Sequence, residues 1–234
     1  MIPPQENEAL TKLHFDLLLY SLWIIFFTFV SILKRDVFYL AITALPGFAY
    51  WVAKYFLNHR ALHFPYGPAN AVTLLRMTGL IAVTLIHPVI PDLLLGILFT
   101  LICLGDLLDG YLARTFKMTS TIGEYMDKET DALFVLCTTF ILFQKGFTGV
   151  WIVSLGLIRY LYFIVVFYFL KPGRKEIKDK YARIIAVVVF VSILLCYFLP
   201  YAWSFPVLVF AAAALFISFG RGALAELGLL NLNR

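Results

Sequence analysis

Charge is what this chain has least of. Only 14% of its 234 residues are Asp, Glu, Lys or Arg, against about a quarter in a soluble domain. Hydrophobic residues make up 62%, and the mean hydropathy is +0.89. A soluble globular domain is excluded, and an integral membrane protein with several spans remains. Cysteine is scarce as well. Cys103, Cys137 and Cys196 lie far apart, each inside an apolar run, so they form neither a disulfide framework nor a metal-ligand cluster and read as packing residues. Strand signals and internal repeats are missing, which leaves an all-α class. The polar segment 1–13 lacks the basic start and small-residue cleavage site of a secretory signal. His59, His63 and His87 have no metal-ligand spacing and read as interfacial residues. Nothing in the modest net charge of +5 points to nucleic-acid binding.

What is present is a series of apolar runs. A spanning helix needs about 20 such residues, and eight helices are expected, at 14–33, 37–57, 70–90, 92–114, 122–144, 147–170, 184–203 and 205–223. The second is expected to bend at Pro46-Gly47, a tight turn is expected at Lys145-Gly146, and Pro200 and Pro206 split the last two helices. The predicted fold is thus an all-α polytopic transmembrane bundle. Spans four, six and eight end beside Arg114, Lys117, the basic loop 171–183, Arg221 and Arg234, whereas the opposite side receives Lys34, Arg35 and Lys145. Basic residues accumulate on the cytoplasmic side, which places those helix ends there, at the inner membrane if the cell is bacterial. The loop 171–183 also suits anionic lipid headgroups.

The few carboxylates are not spread evenly. Six of the fourteen acidic residues (Asp106, Asp109, Glu124, Asp127, Glu129 and Asp131) fall between positions 106 and 131. Helical spacing places Asp106, Asp109, Gly110 and Ala113 on one stripe at the end of span four, and Gly123, Asp127 and Asp131 on one stripe at the start of span five. A short connection makes these helices antiparallel neighbours, so the four Asp converge. Four anions in one pocket repel one another and resist desolvation, and an Asp near the bilayer centre costs about 2.5–3.5 kcal/mol. Divalent cations answer both problems. All-oxygen ligation suits Mg²⁺, Mn²⁺ or Ca²⁺ rather than zinc, and paired ions suit in-line displacement at phosphorus. Arg114, one turn beyond, is placed to clamp phosphate. Glu124 and Glu129, off the shared stripe, read as residues favoured by the positive end of the helix dipole.

The run D-x-x-D-G-x-x-A-R-x8-G-x3-D-x3-D, from Asp106 to Asp131, resembles the signature of the CDP-alcohol phosphatidyltransferases at every fixed position and spacing. Residues 68–76 resemble the P-N-x-x-T-x-x-R opening of that family's first core helix, with one extra residue after the proline. The resemblance implies a six-helix catalytic core at 70–234, preceded at 1–69 by a polar segment and two additional helices. It implies transfer of a phosphatidyl group from CDP-diacylglycerol to a hydroxyl, with release of CMP. By the same resemblance Asp106, Asp109, Asp127 and Asp131 would hold two Mg²⁺ or Mn²⁺ ions, and Asp131 would also be the catalytic base. Gly110, Ala113, Arg114, Ser120 and Gly123 would bind or make room for the CDP group, with Asn70 and Thr73 reaching it from the first core helix. A homodimer among membrane lipids is usual in families of this kind.

The acceptor, a small alcohol or a phosphorylated polyol, is less determined. The stretch Asp127-Lys-Glu-Thr-Asp131-Ala and the pair Arg159-Tyr160 depart from the D-P-x-A-D-K and R-E patterns of phosphatidylglycerophosphate synthases. Arg159, in mid-span, either neutralises a carboxylate of the site or lines the acceptor pocket, and Arg183 and Arg221 are further candidates for binding the acceptor. Two rivals use the same aspartates. An intramembrane prenyltransferase would need a second aspartate-rich stretch, which the sequence lacks, and a cation or proton carrier would need ionisable residues along a path, of which the other spans hold few.

Overall fold

The computed structural model describes residues 4–58, 68–115, 121–169 and 180–226, with side-chain detail for 11–54, 70–106, 122–165 and 181–225. Among the described residues there are eight α-helices and no strand: α1 (Pro4–Lys34), α2 (Phe38–Asn58), α3 (Pro68–Ile86), α4 (Asp92–Thr115), α5 (Thr121–Gln144), α6 (Ser154–Phe169), α7 (Lys180–Phe198) and α8 (Tyr201–Glu226). Short 3₁₀ turns at His87–Val89 and Val150–Val153 follow α3 and precede α6.

Two of the described connections are tight because their sequences close helices. At the end of α1, Arg35 takes the left-handed conformation (φ 52°) and the Asp36 N–H donates back to the Ser31 carbonyl (3.0 Å), a Schellman turn. The Asp36 carboxylate then accepts the N–H of Phe38 (2.9 Å) and opens α2. At the end of α5 the expected Lys145-Gly146 turn forms. Gly146 supplies φ 73°, which a side chain would resist, and the Phe147 N–H donates to the Leu142 carbonyl (2.9 Å).

Several boundaries differ from the sequence expectation. Helix α1 starts at Pro4, inside the segment expected to precede the first span, and α6 starts at Ser154 rather than at position 147. Pro46, where a bend is expected, lies inside α2 and does not end it. Pro206 lies inside α8, so Pro200 alone separates the last two helices. The Pro200 carbonyl accepts the N–H groups of Trp203 and Ser204, so the ladder of α8 is already running when Pro206 removes one donor from it. His87, expected at an interface, is buried at 4% exposure with its ring bonded to the Thr84 carbonyl at 2.7 Å, because the 3₁₀ turn folds it back under the bundle.

Among the described residues, four stretches are long and apolar enough to cross a membrane: Thr11–Lys34, Asn70–Val89, Tyr181–Phe198 and Tyr201–Ala225. Helix α5 is equally long, but Glu124, Asp127, Lys128, Glu129 and Asp131 occupy its first three turns. Large apolar residues such as Leu75, Trp203 and Phe210 stand more than 70% exposed. In lipid these are the outward face. The protein is a polytopic membrane bundle.

Helix α1 packs on α2 and α6, α2 on α3, and α3 on α4 and α5, while α7 closes the bundle against α4, α5 and α8. Phe99 of α4, Phe134 of α5 and Phe190 of α7 interlock at its centre, with centroids 5.8 and 5.1 Å apart. The Tyr197 hydroxyl donates to the Thr138 carbonyl (2.9 Å), tying α7 to α5. At Gly156, α6 touches α5 so closely that an added Cβ would lie 2.3 Å from the Leu136 Cα. Gly156→Ala is therefore expected to cost about 3 kcal/mol, the upper part of the overpacking range. Gly220→Ala, where nothing lies within 4 Å, is the matched control. Equal thermal unfolding of the two variants would show that the contact is not tight.

Candidate active site

The helices that converge on the acidic stretch are α3, α4 and α5. Asp127 and Asp131 are one turn apart on α5, and Asp106 stands opposite on α4. One oxygen from each of these three carboxylates lies within 4.8 Å of the others. Helix α3 packs against both α4 and α5 and brings the acidic faces of those two helices together.

The feature that organises them is Arg76 of α3. It is 5% exposed, and its guanidinium donates to Asp131 Oδ1 (2.8 Å), Asp127 Oδ1 (2.9 Å) and, more weakly, Asp106 Oδ1 (3.4 Å). Its Nε–H donates to the Ile102 carbonyl (3.2 Å). This backbone bond aims the planar fork, which a lysine could not reproduce. Gly105 makes room for it, since a Cβ there would meet the Arg76 side chain at 2.9 Å. Three carboxylates against one guanidinium leave an excess of negative charge. A divalent cation answers that excess, and the donors are all oxygen, as hard cations require. The residues therefore fit a hard divalent cation.

Other expected site residues fall into two groups. Thr73 is buried one turn before Arg76 on α3, Asn70 is half-buried a turn earlier, and Gly123 is half-buried one turn before Asp127. Helix α4 continues through Thr115, so Asp109, Gly110, Ala113 and Arg114 stay in helical register with Asp106. Their side chains lie outside the described residues, as does Ser120.

A cavity of about 510 Å³ opens beside the carboxylates. Asp106, Asp127 and Asp131 form one wall, while Arg159 of α6 and Arg183 of α7 stand on others among apolar residues of α5 to α8. Arg221 is exposed near the end of α8 and is not part of this wall.

Sequence reasoning gives no role to Arg76, although a signal is there. An arginine inside a span needs a carboxylate partner, and the acidic motif holds six of the fourteen carboxylates in the chain. The two glutamates also separate. Glu124 is exposed and pairs with Lys128 one turn on (3.2 Å), as an end-of-span residue should. Glu129 is 2% exposed. It lies two positions from each aspartate, hence on the opposite side of α5, where the bundle covers it.

The fold and the site together define a helical membrane bundle with a centre of converging carboxylates suited to a divalent cation. Comparison with protein families matches residues 67–219 to the CDP-alcohol phosphatidyltransferases, and the chain belongs to that family. It is accordingly a transferase of phospholipid biosynthesis, acting on CDP-alcohol substrates within membranes. No solved structure gives a significant match to the chain.

Proposed function

We propose that this protein transfers the phosphatidyl group of CDP-diacylglycerol to the hydroxyl of a small alcohol, releasing CMP. The reading is carried by the convergence of Asp106, Asp127 and Asp131 at the edge of the 510 Å³ cavity, within the residues matched to the family. The acceptor oxygen bonds to the phosphorus that bears diacylglycerol. The bond from that phosphorus to the bridging oxygen breaks, CMP leaves with that oxygen, and Asp131 takes the proton of the acceptor hydroxyl. Asp106, Asp109, Asp127 and Asp131 would hold two Mg²⁺ or Mn²⁺ ions, which would neutralise the pyrophosphate charge. Gly110, Ala113 and Gly123 leave room for the nucleotide, which Asn70, Thr73, Arg114 and Ser120 contact. The core starts near residue 70, and the site faces the cytoplasm, as the basic residues at the same helix ends favour.

Arg159 and Arg183, on the cavity wall with the aspartates, favour an acceptor that itself carries a phosphate. Family membership supports phosphatidyl transfer over a prenyltransferase or an ion carrier.

The test is protein in liposomes with labelled CDP-diacylglycerol and a panel of alcohols, reading CMP and the mass of the lipid product. CMP release should require both an acceptor and Mg²⁺ or Mn²⁺, and stop on chelation. Release that survives chelation sinks the metal-dependent mechanism, and no lipid product with any alcohol sinks the transfer. With a phosphorylated acceptor, Arg183→Ala should raise the acceptor KM about 10- to 100-fold, the loss of one charged hydrogen bond. The KM for CDP-diacylglycerol should hardly move. The opposite pattern would place Arg183 on the donor.

A further inference from the structure

The two N-terminal helices lie outside the residues matched to the family, yet they are bonded to the catalytic helix α5 at both of its ends. Near the carboxylates, His14 Nε2 of α1 and the Tyr125 hydroxyl of α5 are joined by a hydrogen bond of 2.7 Å. Both side chains are buried, at 7% and 5% exposure. Tyr125 precedes Asp127 by two residues. The His14 ring meets the Tyr125 ring edge-on (5.6 Å) and the Phe163 ring of α6 in the same way (5.9 Å), so it is wedged between the two helices. At the far end, the N–H of Val37, in the turn between α1 and α2, donates to Oε1 of Gln144, the last residue of α5 (3.3 Å). Residues 125 and 144 are about 28 Å apart along a helix, nearly the thickness of the hydrocarbon core.

Between those bonds α1 turns a buried stripe of Leu13, Leu17, Tyr20 and Ile24 inward. Tyr20 comes within electrostatic reach of Glu129, on the side of α5 that faces away from Asp127 and Asp131. Helix α2 in turn rests on α3, which carries Arg76. The N-terminal pair therefore touches both helices whose relative placement sets the carboxylate geometry. In lipid there is no water to replace a lost polar contact, so polar links between helices fix height and rotation. A turn of α5 by one residue's step, about 100°, would carry Asp127 and Asp131 off Arg76 and away from Asp106.

We infer that α1 and α2 are a positioning element for the active site, with His14 acting through Tyr125 to hold α5 at the height and rotation that bring Asp127 and Asp131 to Asp106. The inference rests on the reading that these carboxylates bind divalent ions. It is tested on the full chain in nanodiscs with His14→Phe, Tyr125→Phe, the double variant and His14→Gln, using Mn²⁺ itself as the probe and its EPR signal as the readout. Each single Phe variant is expected to bind Mn²⁺ about 3- to 15-fold more weakly, the range of one interhelical hydrogen bond in a membrane. The double variant should be no weaker than the weaker single. His14→Gln, which still offers an amide to the Tyr125 hydroxyl, should stay within about twofold of the unchanged protein.

A residue that merely held the fold together would lower the unfolding temperature and leave the Mn²⁺ affinity of folded protein unchanged. That result overturns the inference, and so does additivity of the two Phe substitutions. Should His14→Phe not fold, Gln144→Leu removes the far-end bond and carries the same expectation and the same contrary outcome. Unchanged protein that binds no Mn²⁺ would instead sink the metal reading. The positioning is then read in CMP release, where equal turnover of the unchanged and His14→Phe proteins overturns it.

Discussion

Asp131→Asn should lower CMP release by about 10³-fold or more, because it removes both a general base and a carboxylate ligand. The change is nearly isosteric. The amide oxygen of the new side chain can still accept from Arg76, and Asp131 is a third exposed, so the bundle should stay folded. Asp109→Asn, one turn past Asp106 on α4, should have a comparable effect. Glu124→Gln, which removes only a surface pair with Lys128, is the control and should keep near-normal turnover. Circular dichroism and thermal unfolding establish the fold of each variant, and radiolabelled CMP release measures the reaction. Turnover of Asp131→Asn within tenfold of the unchanged protein would remove it from the proposed chemistry.

Arg76→Leu should act first on stability rather than on turnover. Breaking a buried ion pair by removing one partner typically costs about 3–5 kcal/mol. Arg76 is buried, but its partners Asp106, Asp127 and Asp131 are 33–44% exposed, so solvent screening lowers the expected loss to about 2–3 kcal/mol in metal-free protein. Added Mg²⁺ or Mn²⁺ should restore part of that loss, so the metal-induced rise in unfolding temperature should be larger in Arg76→Leu than in the unchanged protein. Arg76→Lys should behave more like the leucine variant than its charge suggests, because one ammonium cannot reach three carboxylates and the Ile102 carbonyl together. Equal metal-free stability of all three proteins would show that Arg76 is not the counter-charge of the cluster.

Much of this site is legible in the amino-acid sequence. Asp127 and Asp131 share a face because i, i+4 spacing is a property of one helix, and the motif itself marks Asp106 as their partner, although it is α3 that brings α4 and α5 together. The packing role of Cys137 and Cys196, both buried free thiols, follows from the apolar runs around them. The helix starts are harder to read. The polar residues before position 14 conceal the first turns of α1, and Pro206 looks like a break although the α8 ladder has already begun. Glu129 departs from expectation because helix-dipole reasoning treats the first turns of α5 as solvated, whereas α1 and α6 cover that side.

By itself the sequence determined the all-α membrane class, the acidic motif and the family that motif resembles. Hydropathy, helical spacing and the cost of charge in lipid act over a few turns of one chain and need no knowledge of neighbours. The tertiary structure alone decided that Arg76 gathers the carboxylates, that Arg159 and Arg183 rather than Arg221 share their cavity, and that His14 reaches Tyr125. Those facts depend on which helix lies against which, and at what height. Close approaches such as Gly105 on Arg76 and Gly156 on Leu136 set that, and they are shape complementarities to which an apolar run is blind.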